Sequence, residues 1–142
     1  MKKDIITNLK SLRIKSEEVS SKETKKIIKD LEDTLKDCPT GVGLSAIQIG
    51  IPKKVGIIRI EGLRLDLINP EMVEKEGRFK MKKEGCLSFP GLYLDTIRHN
   101  TITIINNGKK ETYYGIIAVA INHEIDHMRG ITILDRKWLG MK

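Results

Sequence analysis

His123, Glu124, Ile125, Asp126 and His127 place two imidazoles four positions apart, with a carboxylate beside the first. On an α-helix of about 3.6 residues per turn, His123 and His127 fall roughly 40° apart around the axis, so both can hold one cation. Glu124 sits roughly 100° from His123. It flanks such an ion without binding it, where it can take a proton from water and hand it to a leaving group. Asp126 falls on the other flank, a place for a carboxylate that orients a ligand or braces the helix. This is the residue set of a hydrolytic metal site. The preceding residues 116–121, Ile-Ile-Ala-Val-Ala-Ile, are apolar all the way round and predict a buried helix. Imidazoles and acids carried into an interior are costly unless paired or bound to metal.

A catalytic metal usually takes three protein ligands and keeps a fourth position for water. The metzincin pattern runs on through Gly130, but Ile133 stands where its last histidine belongs. The fifteen residues after His127 contain no glutamate, so a thermolysin-like ligand is missing as well. The third ligand must come from upstream, where the chain offers Cys38, Cys86 and His99. Cys86 is the best placed. It lies in Glu84-Gly85-Cys86-Leu87-Ser88, ahead of Phe89-Pro90-Gly91, with a glycine that permits close backbone approach and a rigid exit. Cys38 ends a charged amphipathic helix and reads as a small apolar side chain. His99, between Arg98 and Asn100, reads as a surface or paired polar group.

Three strings together now carry a family resemblance. Gly41-Val42-Gly43-Leu44-Ser45-Ala46-Ile47-Gln48 is a glycine-rich loop ending in glutamine; Glu84 to Ser88 and His123 to His127 are the other two. In this order and rough spacing the chain resembles the peptide deformylases. Weaker similarity at Ile68-Asn69-Pro70-Glu71 and Gly115-Ile116-Ile117-Ala118 extends it from about residue 5 to 136. The chain resembles the shorter members, bacteriophage-borne ones included, in which no helix follows the third string.

The resemblance implies one catalytic domain over residues 1–142, of α+β class, with antiparallel strands wrapped around a central buried helix that carries HExxH. It implies a divalent ion held by Cys86, His123 and His127, with ferrous iron as the working metal. Zinc, nickel and cobalt suit the same ligands. The implied reaction removes the formyl group from N-formylmethionyl ends of newly made polypeptides and releases formate. Glu124 would carry the proton, and the Gln48 amide and Leu87 N–H would face the developing oxyanion. The peptide would lie extended beside Gly43, its methionine in a pocket of Val42, Ile116, Val119 and Ala120. Arg98 would pair with Asp126. The chain departs from the family's usual pattern at Ser45 (usually Ala), Ile47 (commonly Pro) and Asn122 (usually Gln). The first two border the substrate loop and bear on rate and side-chain preference. Two other readings stay open: a zincin-type peptidase, and a catalytically weak homologue that binds formyl peptides.

Composition agrees with a small enzyme. A chain of 142 residues has room for one core. No run approaches the roughly 20 apolar residues of a membrane span, and Met1-Lys-Lys-Asp leads into Ile-Ile-Thr-Asn rather than a signal-peptide core. The expected location is the cytoplasm. Two cysteines 48 positions apart argue against a disulfide framework. The net charge of +7 comes from lysine pairs scattered over separate segments, with few aromatics for base stacking, and predicts no specific nucleic-acid partner. It can still favour encounters with ribosomal RNA where nascent chains emerge.

Local patterns set the elements. Ser20 and Glu23 form a capping-box signature ahead of Ile27, Leu31 and Leu35, predicting a helix over about 21–37. Residues 54–60 and 63–68 read as paired strands around Glu61-Gly62. Residues 99–105 read as a strand turning at Asn107-Gly108 into another over 109–113. The buried helix is expected over about 115–129.

Overall fold

A computed structural model of the chain describes residues 1–60 and 62–140. A one-turn helix, α1 (Leu9–Leu12), is capped by the Asn8 side chain, which accepts from the Ser11 N–H. The capping box at Ser20 and Glu23 is present and opens α2 (Ser21–Leu35), satisfying two otherwise orphaned donors. This helix buries Ile27, Leu31 and Leu35 in one core cluster with Leu44, Ala46, Val55 and Ile57.

Two antiparallel sheets follow. The first consists of β1 (Gly43–Ser45), β2 (Val55–Ile60) and β3 (Leu63–Ile68), in that order across the sheet. Glu61, at the expected turn of the β2–β3 hairpin, lies outside the described residues. The second consists of β4 (Glu71–Gly85), β5 (Tyr93–Asn106) and β6 (Lys109–Tyr114). At the β5–β6 turn Asn107 and Gly108 both have positive φ, 52° and 81°, as a tight hairpin turn requires. The strand expected over 99–105 is the inner half of a longer β5. Its partner β4 was not expected from the sequence, because its mostly charged residues are exposed or half-buried along nearly all its length. Pairing with β5 makes it a strand. Register shifts interrupt that pairing between Met72 and Glu74 and between Met81 and Glu84. The second shift leaves Lys83 at φ 52° with its N–H on Asp95 Oδ1, and Glu84 turns into the interior. Re-aiming a side chain is a common use of such a bulge.

The helix that carries both histidines, α3 (Gly115–Met128), touches β1, β2 and β5. Ala118, Ile121, Ile125 and Met128 form a second core cluster with Ile58, Leu67, Ile102 and Ile104. The expectation of burial all round is corrected at the first turn. Ile116 is 55% exposed and lines a cleft, while Ile117 is half-buried against the second core cluster. Gly130 ends the helix at φ 77°, where a Cβ would stand 2.5 Å from the Arg13 carbonyl oxygen. Only glycine fits that crossing.

An ion network ties α2 to the first sheet. Glu32 Oε2 accepts from Arg59 Nη2 at 2.7 Å and from Arg64 Nη2 at 2.5 Å. The Arg59 bond, opposed by partial burial and helped by Arg64, lowers the Glu32 pKa. A depressed folded-state pKa contributes stability that is full above the ordinary glutamate value of about 4.3 and fades as pH falls through the folded-state value. Glu32→Gln should therefore lower unfolding free energy by about 1 kcal/mol at pH 7, with the difference from the parent shrinking toward pH 3. Urea denaturation of both proteins at the two pH values checks this.

Candidate metal centre

The turn that follows β4 meets the C-terminal half of α3. Cys86 follows the last residue of β4 and begins a turn in which its carbonyl accepts from Phe89 N–H at 2.9 Å. His123 and His127 stack edge to face, with ring centroids 5.0 Å apart and planes at 69°. One ligand atom from each of Cys86, His123 and His127 lies within 4.8 Å of the others.

These residues fit a transition-metal ion. Cys86 Sγ is 3.4 Å from His127 Nε2. A tetrahedral ion with metal–sulfur and metal–nitrogen bonds of about 2.3 and 2.0 Å would set that separation at about 3.5 Å. The other nitrogen of His127, Nδ1, is buried without a hydrogen-bond partner, which leaves Nε2 as the engaged atom of the ring. Burial, reinforced by His123, lowers the His127 pKa and favours the neutral imidazole, the form that can bind a metal.

His123 is braced from behind. Its Nδ1 lies 2.6 Å from Glu84 Oε2, which points Nε2 toward Cys86 and His127. Glu84 also accepts two hydrogen bonds from Arg98, at 2.8 and 2.6 Å, and one from Thr96 Oγ1 at 2.6 Å. Arg98 Nη1 donates to Asp126 Oδ2 at 2.9 Å. Arg136 donates twice to the same carboxylate, at 2.9 and 2.8 Å, and Asn122 Nδ2 adds a longer contact. Burial alone would raise the Glu84 pKa, but His123 and Arg98 outweigh it and hold the carboxyl well below the usual range. Glu84 and Arg136 were not anticipated in these places. For Glu84 the one sign is its place in the string Glu84 to Ser88 that carries the family resemblance. Nothing comparable marks Arg136.

In front of the histidines lies a cleft of about 510 Å³, lined by Val42, Gly43, Gln48, Cys86, Leu87, Ile116, Val119, Ala120, His123 and Glu124. Gln48 stands on the 3-10 turn Ala46–Ile49. Its Oε1 accepts from the Ser45 N–H, while Nε2 donates to Ser88 Oγ at 3.0 Å and approaches Cys86 Sγ at 3.7 Å. Burial raises the Glu124 pKa, against lowering by His123 and by a hydrogen bond from Ser45. That is the direction a proton carrier near neutral pH requires. Arg98, Asp126 and His127 lie behind the cleft wall rather than in it. Cys38, half-buried with its Sγ near the Thr34 carbonyl, and His99, half-buried on β5, belong to neither group.

The model of the polypeptide deformylase family matches residues 3–138. The chain belongs to the peptide deformylase family. A peptide deformylase of Aquifex aeolicus (strain VF5) is 42% identical over 132 residues, covering 84% of this chain and 76% of the relative. The crystal structure of a peptide deformylase from Thermotoga maritima is 28% identical and superposes with a TM-score of 0.88, covering 98% of this chain and 99% of that one. A peptide deformylase from Synechococcus elongatus, solved in complex with actinonin, is 32% identical with a TM-score of 0.86 over 96% of this chain and 79% of its own. The α+β arrangement of two antiparallel sheets and a histidine-bearing helix is thus the peptide deformylase fold.

A hydrogen bond behind a metal-ligating imidazole fixes ring orientation, and loss of such a partner typically costs 10- to 100-fold in metal affinity. Glu84→Gln should weaken metal retention by about that factor and lower the melting temperature. Competition with a chelator, followed by elemental analysis, measures the first effect.

Proposed function

We propose that this chain deformylates the N-terminal formylmethionine of newly made polypeptides and releases formate, acting as one catalytic domain with a divalent ion held by Cys86, His123 and His127. The observation that carries this reading is the meeting of one thiol and two imidazole nitrogens within 4.8 Å, with Cys86 and His123 on the wall of a cleft that also holds Glu124 and Gln48. A bound divalent ion supplies Lewis-acid chemistry, making water nucleophilic near neutral pH and polarising the formyl carbonyl.

The rest falls to the chain. Glu124 takes a proton from the attacking water and delivers it to the departing amine, so the products are formate and a free N-terminus. As the carbonyl oxygen gains charge, the Gln48 Nε2 hydrogen that meets Cys86 Sγ only at 3.7 Å is the donor available to turn toward it. The Leu87 N–H supplies a second donor, and one such donor is typically worth about 2.7–4 kcal/mol of barrier. β1 pairs with β2 on one side only, and its Gly43 lines the cleft. An extended peptide can add along that edge through main-chain hydrogen bonds, with its methionine against Val42, Ile116, Val119 and Ala120. Arg98 and Asp126 act behind the ligands, keeping α3 in place.

The working metal in this reading is ferrous iron, with zinc, nickel and cobalt the other ions that suit one thiolate and two imidazoles. Substrates on nascent chains put the work in the cytoplasm, and the net charge of +7 favours encounters at the ribosome surface. No helix among the described residues is long and apolar enough to cross a membrane. Against a zincin-type peptidase stands the Cys86 sulfur 3.4 Å from His127 Nε2, since a zincin completes its ligand set from downstream.

Release of formate from formyl-Met-Ala-Ser is the direct test, and its absence in the metal-loaded protein would remove the deformylase reading. Glu124→Gln should lower kcat by at least about a hundredfold while the metal stays bound. Cys86→Ala should strip the metal. Elemental analysis of protein purified without oxygen should return iron at about one atom per chain; zinc in its place would reassign the metal.

A further inference from the structure

Ser45 carries a hydroxyl to which the mechanism above gives no task. It is fully buried on β1, beneath α3. Its Oγ lies 2.9 Å from Glu124 Oε1 and equally 2.9 Å from the Glu124 backbone oxygen. Among the described residues it is the one side chain that hydrogen-bonds to the Glu124 carboxylate. Gly43, two positions earlier on the same strand, sits against the other carboxylate oxygen. A Cβ at Gly43 would stand 2.8 Å from Glu124 Oε2 and 3.0 Å from the Ile57 carbonyl. Glu124 is thus seated on β1, with Oε1 engaged by a hydroxyl and Oε2 beside a glycine that lines the cleft.

The terminal torsion of a glutamate is broad and leaves the carboxylate plane free to turn. The single Ser45 O–H proton, shared between Oε1 and the Glu124 backbone oxygen, restricts that freedom. We propose that Ser45 is a positioning residue for deformylation: its hydroxyl fixes the Glu124 carboxylate through Oε1, so that Oε2 is the oxygen that takes the proton from water and returns it to the amine. Ser45 keeps its own proton throughout, and the exchange balances between water, Oε2 and the leaving nitrogen. Alanine fills the same space without the donor. This inference rests on the deformylase reading and refines it.

The test compares parent, Ser45→Ala and Ser45→Thr enzymes, each loaded with the same metal, on formyl-Met-Ala-Ser. Loss of a hydrogen bond to a charged group should lower kcat of Ser45→Ala about tenfold, with KM and metal content per chain within about twofold of the parent. Ser45→Thr keeps the hydroxyl and should recover most of that loss. A crystal structure of Ser45→Ala should show the Glu124 carboxylate rotated or split between two orientations, a readout that needs no turnover and holds even if the added methyl of threonine disturbs β1. An unchanged kcat with an ordered Glu124, or a loss confined to KM or metal content, would overturn the inference while leaving the deformylase reading intact. A parent enzyme that releases no formate would overturn that reading instead.

Discussion

A guanidinium sealed between two carboxylates holds the site in one piece. Arg98 comes from β5, Glu84 from the inward end of β4 and Asp126 from α3, and all three are nearly without solvent contact. A charge buried without a partner is costly, and here each is matched through paired, geometrically directed hydrogen bonds. Such a chain of ions need not add net stability, since well-packed apolar residues can hold elements together as firmly. What apolar residues cannot do is accept a hydrogen bond from an imidazole. The chain ends on His123 Nδ1, so the same contacts that dock β4 and β5 onto α3 also turn a ring toward Cys86.

The bulge near Lys83 makes this arrangement reachable. Without the register shift between Met81 and Glu84, the alternation that runs from Glu74 would continue to the end of β4. With it, the outer hairpin keeps its exposed, charged faces while its last residues turn acid and sulfur toward the helix. Solubility of the hairpin and chemistry at its base are thereby separated along one strand.

How far the sequence could be read depended on the range of the interactions. Helix geometry alone relates His123 to His127, a capping box marks Ser20 and Glu23, and Asn107-Gly108 marks a turn; each is decided within a few residues. β4 was invisible because no local pattern favours it, and its stability comes from β5. The apolar run 116–121 points to burial all round, yet Ile116 is apolar for the cleft, where the family resemblance puts it, rather than for a core. Ser45 looked like a residue beside the substrate, yet its hydroxyl meets a side chain 79 positions away. Contacts of that span are written in the fold, not in the spacing.

One separation along the chain has a mechanical consequence. Cys86 and His127 are 41 positions apart and their ligand atoms 3.4 Å apart. An ion gripped by both closes a long loop, much as a covalent cross-link would. In the chain-entropy treatment of disulfides, tethering a loop of that length removes denatured-state freedom worth about 4 kcal/mol. Since a metal that binds the folded chain and not the unfolded one adds its binding energy to folding, an ion held there would serve as a removable staple between the outer hairpin and the histidine helix. Oxidation of the sulfur would then loosen the molecule as well as silence it.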